Sequence, residues 1–146
     1  MLETYLTEDK IQMTSQSLDW EEAIKRAATP LLTNGSIKGS YVNQMIQNVH
    51  TMGPYIVIAP NIAFAHARPE DGVQQTDISL LVSESPVSFS AKPEHQCQLI
   101  FVFAAADSES HLQLLSALSV FLSDEEQVKR LIQAKSVQEL VQVIQS

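Results

Sequence analysis

The chain is poor in cysteine and glycine, with one of the former and four of the latter in 146 residues. A lone Cys97 cannot close an internal disulfide and leaves no cysteine pair for structural zinc; beside an apolar run it reads as a small core side chain. The glycines at 35, 39, 53 and 72 match neither the dinucleotide fingerprint nor the phosphate-loop spacing, so no nucleotide or other cofactor is expected. There is no Gly-x-Ser-x-Gly elbow. The longest apolar runs, such as residues 99–106, are of strand length, far below the ~20 residues a membrane-spanning helix needs. Met1-Leu2-Glu3-Thr4-Tyr5 has neither the basic region nor the apolar core of an export signal, and the expected location is the cytoplasm. Basic residues are scarce: nine Lys and Arg against seventeen Asp and Glu give a net charge of -8. That field repels phosphate backbones, which argues against nucleic acid and for a protein partner rich in Lys and Arg.

What remains is a globular composition, 45% apolar and 18% charged, at a length suited to one domain spanning residues 1–146. Asp19 with Glu22 makes a capping-box-like start, after which Trp20, Ala23, Ile24, Ala27 and Leu31 share a helical face. Pro30 predicts a kink or early end before Asn34-Gly35. Ser40 is the expected cap of a second helix carrying Tyr41, Val42, Met45, Ile46 and Val49, closed by Gly53-Pro54. Strands are predicted at residues 55–59, 62–65, 77–83, 87–89 and 98–105; the last is apolar throughout, as a central strand covered on both faces would be. The last third reads as helices, capped by Ser108 or Ser110, by Ser123 or Asp124, and by Ser136 with Glu139. Helices before and after a strand-rich middle imply an α/β fold, a mixed central sheet covered by helices on both faces.

Of four histidines, two sit where chemistry is plausible on mechanical grounds. His66 lies where an apolar strand runs into the polar loop 68–72, rigidly held yet with a ring nitrogen exposed, and a neutral imidazole is a nucleophile near pH 7. Arg68 could set a planar cation beside an incoming phosphoryl group. His111 opens a helix whose first-turn amides and dipole favour an anion near Ser108 and Ser110. Solvated surface histidines also occur at such positions, and Arg68 could simply pair with Glu70. His50 and His95 stand apart from any other chemical signal, and a metal gripped by His66, His111 and a carboxylate in a small hydrolase is a weaker reading, because those positions lie on separate elements.

The run from Gly53-Pro54-Tyr55 through Ala65-His66-Ala67-Arg68-Pro69-Glu70-Asp71-Gly72-Val73, with the later Ala-Ala-Asp-Ser-Glu-Ser-His stretch ending at His111, resembles the phosphotransferase-system IIA proteins of the mannitol/fructose type, most of all the ascorbate branch. The resemblance implies the IIA fold and a phosphoryl carrier. His66 would accept phosphate from phospho-HPr, assisted by His111, and pass it to a cysteine of a separate IIB component that serves a membrane IIC permease for ascorbate or a related sugar. It implies no metal, and no phosphate on Cys97. Many relatives read Pro-His-Gly where this chain has Ala65-His66-Ala67, and mannitol-type members carry an upstream arginine whose counted position falls on His50, leaving Arg68 as the alternative cation. A phosphorylation-responsive or binding-only regulatory module is the other reading; since no DNA-binding or membrane segment is read within these residues, a freestanding shuttle subunit is the expectation. Scattered Met and aromatic residues leave a homo-oligomer open.

Overall fold

The computed structural model describes residues 1–146. In chain order the elements are α1 (Leu2–Tyr5), β1 (Ile11–Thr14), α2 (Trp20–Thr33), α3 (Gly39–Met52), β2 (Val57–Ala59), β3 (Asn61–Ala65), β4 (Asp77–Ser88), β5 (Gln96–Ala104), α4 (Ser108–Leu122), α5 (Glu125–Gln133) and α6 (Val137–Gln145). The strands form one sheet in the order β1-β4-β5-β3-β2. β1 runs parallel to β4 and β3 parallel to β5, while β4 with β5 and β2 with β3 are antiparallel. This is the mixed sheet that the alternation of elements implies.

β5 lies at the centre, and its apolar run is divided between two layers. Ile100, Val102 and Ala104 pack under α2 and α3, whereas Leu99, Phe101 and Phe103 pack under α1, α4, α5 and α6. The two clusters hold 20 and 18 buried residues, so neither sheet face is left to water. Residues 77–83 and 87–89, read as separate strands, belong largely to the single strand β4, because both halves pair with β5 across an irregularity between Val82 and Val87. Gln98 fills that irregularity and donates its side-chain amide to the carbonyls of Ser83 and Glu84.

The helix starts are partly as expected. Asp19, Asp124 and Ser136 each accept a first-turn amide. α4 is capped by Asp107, not by Ser108 or Ser110: its carboxylate accepts from the Ser110 amide at 2.8 Å, and a charged acceptor also complements the helix dipole. α3 begins after Lys38 without a side-chain cap; Ser40 lies inside it and donates instead to the carbonyl of Asp71 at 2.9 Å. Pro30 does not end α2, which continues to Thr33. The carbonyl four residues before a helical proline loses its amide partner. Here that carbonyl, on Arg26, accepts from Gln12 Nε2 of β1 at 2.8 Å, so the vacancy is filled from the sheet.

Candidate active site

Because β3 and β5 are parallel, with Ala65 opposite Val102, their carboxyl ends emerge side by side. The next residues, His66 and then the turn into α4, therefore meet at one edge of the sheet. There they bound a cleft of about 340 Å³ lined by His66, Ala67, Arg68, Pro69, Phe103, Ala105, Asp107, Ser108 and His111.

His66 is half-buried and its ring is oriented by its own strand. Nδ1 lies 2.9 Å from the carbonyl of Phe64, and since a carbonyl only accepts, Nδ1 carries the proton. In the neutral ring the lone pair is then on Nε2, the opposite nitrogen. Phe64 and Tyr55 flank the imidazole with ring centroids at 5.4 and 5.6 Å. Tyr55 also donates its hydroxyl to the His66 carbonyl at 3.1 Å. The following residue is held from another side, where the Ala67 amide donates to the Tyr41 hydroxyl at 3.0 Å.

His111 stands in the first turn of α4 with its ring edge-on to Phe103 at 5.2 Å, and Phe103 packs on Phe64 at 4.9 Å. The two histidines thus ride on neighbouring aromatic side chains of adjacent strands. Asp107, in the same wall, is held below the usual carboxylate range by the amide and hydroxyl of Ser110. Ser108 lines the cleft. Ser110 does not; its hydroxyl is shared with Thr76 at 2.6 Å, and Thr76 accepts from the Ala106 amide at 2.9 Å, which fastens the turn between β5 and α4.

Arg68 is exposed, forms no ion pair and does not bridge to Glu70. It is the only Lys or Arg in the cleft and also borders a second, polar cleft of about 310 Å³ with Gln44, Asn48, Met52 and Asp71. His50 reaches neither: it pairs with Glu21 and stacks edge-on to Trp20 at 4.9 Å. His95 bonds Ser90 Oγ at 2.6 Å in the turn before β5. Cys97 is wholly buried, and burial pushes its thiol up to about 12, so it offers no thiolate. No three His, Cys, Asp or Glu side chains converge as a metal would require. Sequence reasoning placed Tyr41 on the apolar face of α3 and missed its polar end; a wholly buried tyrosine needs a partner for its hydroxyl, and that need was the available signal.

The family model for the phosphoenolpyruvate-dependent sugar phosphotransferase system, EIIA 2, matches residues 4–146. The mannitol-specific cryptic phosphotransferase enzyme IIA component of Escherichia coli K12 is 34% identical over 98% of this chain and 97% of its own. The solution structure of that E. coli enzyme IIA superposes with a TM-score of 0.91 at 34% identity, again covering 98% of this chain and 97% of the other. The ascorbate-specific EIIA component of E. coli K12 is 30% identical over 95% and 92% of the two chains. The E. coli mannitol enzyme IIA, in a structure with phosphorylated enzyme IIB, matches in fold with a TM-score of 0.79 at 24% identity, covering 94% of each chain. The likeness to mannitol-type and ascorbate-type IIA proteins thus extends over nearly the whole chain.

Proposed function

This chain belongs to the EIIA 2 family of the phosphoenolpyruvate-dependent sugar phosphotransferase system, and from that premise we propose that it is a cytoplasmic phosphoryl carrier, a single IIA domain whose acceptor is Nε2 of His66. The observation that carries the reading is the 2.9 Å contact between His66 Nδ1 and the Phe64 carbonyl, which leaves the lone pair on Nε2. The donor is the phosphohistidine of HPr. The Nε2 lone pair attacks phosphorus as the phosphorus–nitrogen bond to the donor ring breaks, and that bond's electron pair stays on the donor nitrogen. No proton need move, since Nδ1 keeps its own; the positive charge that phosphorylation puts on the ring is eased by the Phe64 carbonyl.

Phosphoryl transfer passes through a loose transition state in which positioning and charge stabilisation dominate. His111, Arg68 and the Ser108 end of α4 supply them from the cleft walls. The next acceptor is a cysteine of a IIB component, the class of partner seen with the mannitol fold neighbour. Through IIB the phosphate serves a membrane IIC permease for ascorbate or a related sugar, as the ascorbate-specific relative suggests.

Intact-mass spectrometry after incubation with phosphoenolpyruvate, enzyme I and HPr tests this. One acid-labile phosphoryl group on the parent and none on His66→Ala is the expected result. No gain with an active HPr would overturn it in favour of a binding-only regulatory module.

A further inference from the structure

The acceptor loop is held from below by α3. Tyr41 is wholly buried near the start of that helix. Its hydroxyl accepts the Ala67 amide at 3.0 Å and donates to the Phe103 carbonyl at 2.6 Å. One end of this two-way link is the residue after His66; the other is the residue whose ring supports His111. A single oxygen therefore joins the backbone next to His66 to the backbone of Phe103, whose ring packs against His111.

The rest of the loop is drawn onto the same turn of α3. Ser40 Oγ donates to the Asp71 carbonyl at 2.9 Å, and the Lys38 amide donates to the Gly72 carbonyl at 2.9 Å. Gly72 sits at φ +138°, where a Cβ would come within 2.7 Å of Ser40 Oγ and 3.1 Å of the Tyr41 amide nitrogen, so loop and helix are in close contact. In this setting the Tyr41 hydroxyl does more than satisfy itself. It fixes the distance between β3 and β5 just where the strands end and the ladder bonds between them stop.

We propose that Tyr41 is a positioning residue for phosphoryl transfer: its hydroxyl locks the backbones on either side of the cleft so that the His66 ring stays seated on the Phe64 carbonyl with Nε2 in line for attack. The inference rests on the reading of His66 as acceptor. Burial pushes the Tyr41 hydroxyl up to about 12, so it keeps the proton it donates to Phe103 across the whole working range of pH. Nucleophile displacements of ~1 Å cost on the order of 100-fold in rate. Loss of the link should therefore be read in transfer and not in partner docking, since the hydroxyl never reaches the surface.

The test is Tyr41→Phe, which keeps the ring and removes both bonds. With phospho-HPr as donor, kcat should fall 10- to 100-fold while KM stays within twofold. Ser79→Ala is the control: it removes a buried hydroxyl bond of 2.6 Å to the Ala27 carbonyl beneath α2, outside the cleft, and should leave kcat within twofold. A Tyr41→Phe kcat within threefold of the parent, or an equal loss in Ser79→Ala, would overturn the proposal. Long-range proton–nitrogen NMR on the unphosphorylated protein separates this from the function itself. The parent should show His66 chiefly as the Nδ1–H tautomer and Tyr41→Phe should raise the other tautomer at least threefold, whether or not the protein accepts phosphate; an unchanged ratio would count against the link. In the parent, slow exchange of the Ala67 amide would support the link, and exchange at the rate of an open loop would refute it even if the variant failed to fold.

Discussion

Replacing Arg68 with alanine should slow phosphoryl transfer to His66 by about tenfold, and the size follows from where the guanidinium stands. The protein carries a net charge of -8, so an incoming phosphoryl group meets a repulsive field everywhere except where a cation is local. Arg68 is the only Lys or Arg lining the cleft and makes no ion pair that would neutralise it. Two unit charges ~4 Å apart interact by about 4 kcal/mol at an effective dielectric near 20 and by about 1 kcal/mol in bulk water. The side chain is exposed, which places it near the lower figure; a differential effect of about 1.4 kcal/mol is tenfold in rate. The substitution spares the local fold, because the bonds that Arg68 makes with Asp71 come from its backbone amide and carbonyl, each at 3.0 Å. Rapid-quench transfer from phospho-HPr is the assay. Arg68→Lys should lose less, about threefold, keeping charge without the planar fork. At about 1 M salt, where the screening length is ~3 Å, the gap between parent and Arg68→Ala should narrow. A variant within twofold of the parent at low salt would refute the electrostatic role.

His111→Ala should slow transfer about 100-fold, the usual cost of losing one donor to transition-state oxygens, yet leave slow phosphorylation detectable by mass; full activity would exclude the role. Asp77 is wholly buried and holds Lys10 at 2.7 Å, Ser36 Oγ at 2.6 Å and Asn34 Nδ2 at 2.9 Å. Asp77→Ala strands Lys10 and should cost about 3 kcal/mol in urea unfolding, where less than about 1 would contradict the network's importance. Cys97 should resist thiol reagents in the native state. Its folded value, about 12, lies above the ordinary thiol value of 9.0, so its contribution is complete below pH 9 and is lost as pH rises toward 12; Cys97→Ala should flatten that alkaline decline, and an unchanged profile would argue against it.

Much of the fold was legible because its strongest signals are local. β5 carries its apolar run on both faces, and the Asp19 and Ser136 caps lie beside the helices they open. What escaped reading depends on contacts between distant segments. Pro30 predicts a break only for an isolated helix; Gln12, on another element, supplies the missing donor to Arg26. β1 is four residues long and α1 another four, too short to show a period, and both are held by the layers that cover them. In the cleft, His66 was visible as a strand end, while the engagement of Ser110 with Thr76, 34 residues away, was not. Tyr41 hid for a similar reason: its ring obeys the helical periodicity, and its hydroxyl answers to residues 26 and 62 positions on.

The sheet topology explains why these pieces meet. Parallel pairing of β3 with β5 delivers His66 and the start of α4 to the same edge, and ligand sites in open sheets form outside the carboxyl ends of such strands. β4 is antiparallel to β5, with Asp77 opposite Ala104, so its beginning arrives at that edge too, and Thr76 just before it can fasten the turn through Ala106 and Ser110. α4 then runs away from the edge, leaving its positive end where His111 stands. Were β3 antiparallel to β5, His66 would leave the sheet at the opposite end from α4, and neither the aromatic bridge from Phe64 to Phe103 nor the Tyr41 link could place it in the cleft. The meeting of His66, Arg68, Asp107 and His111 at one edge of the sheet is thus a consequence of strand direction.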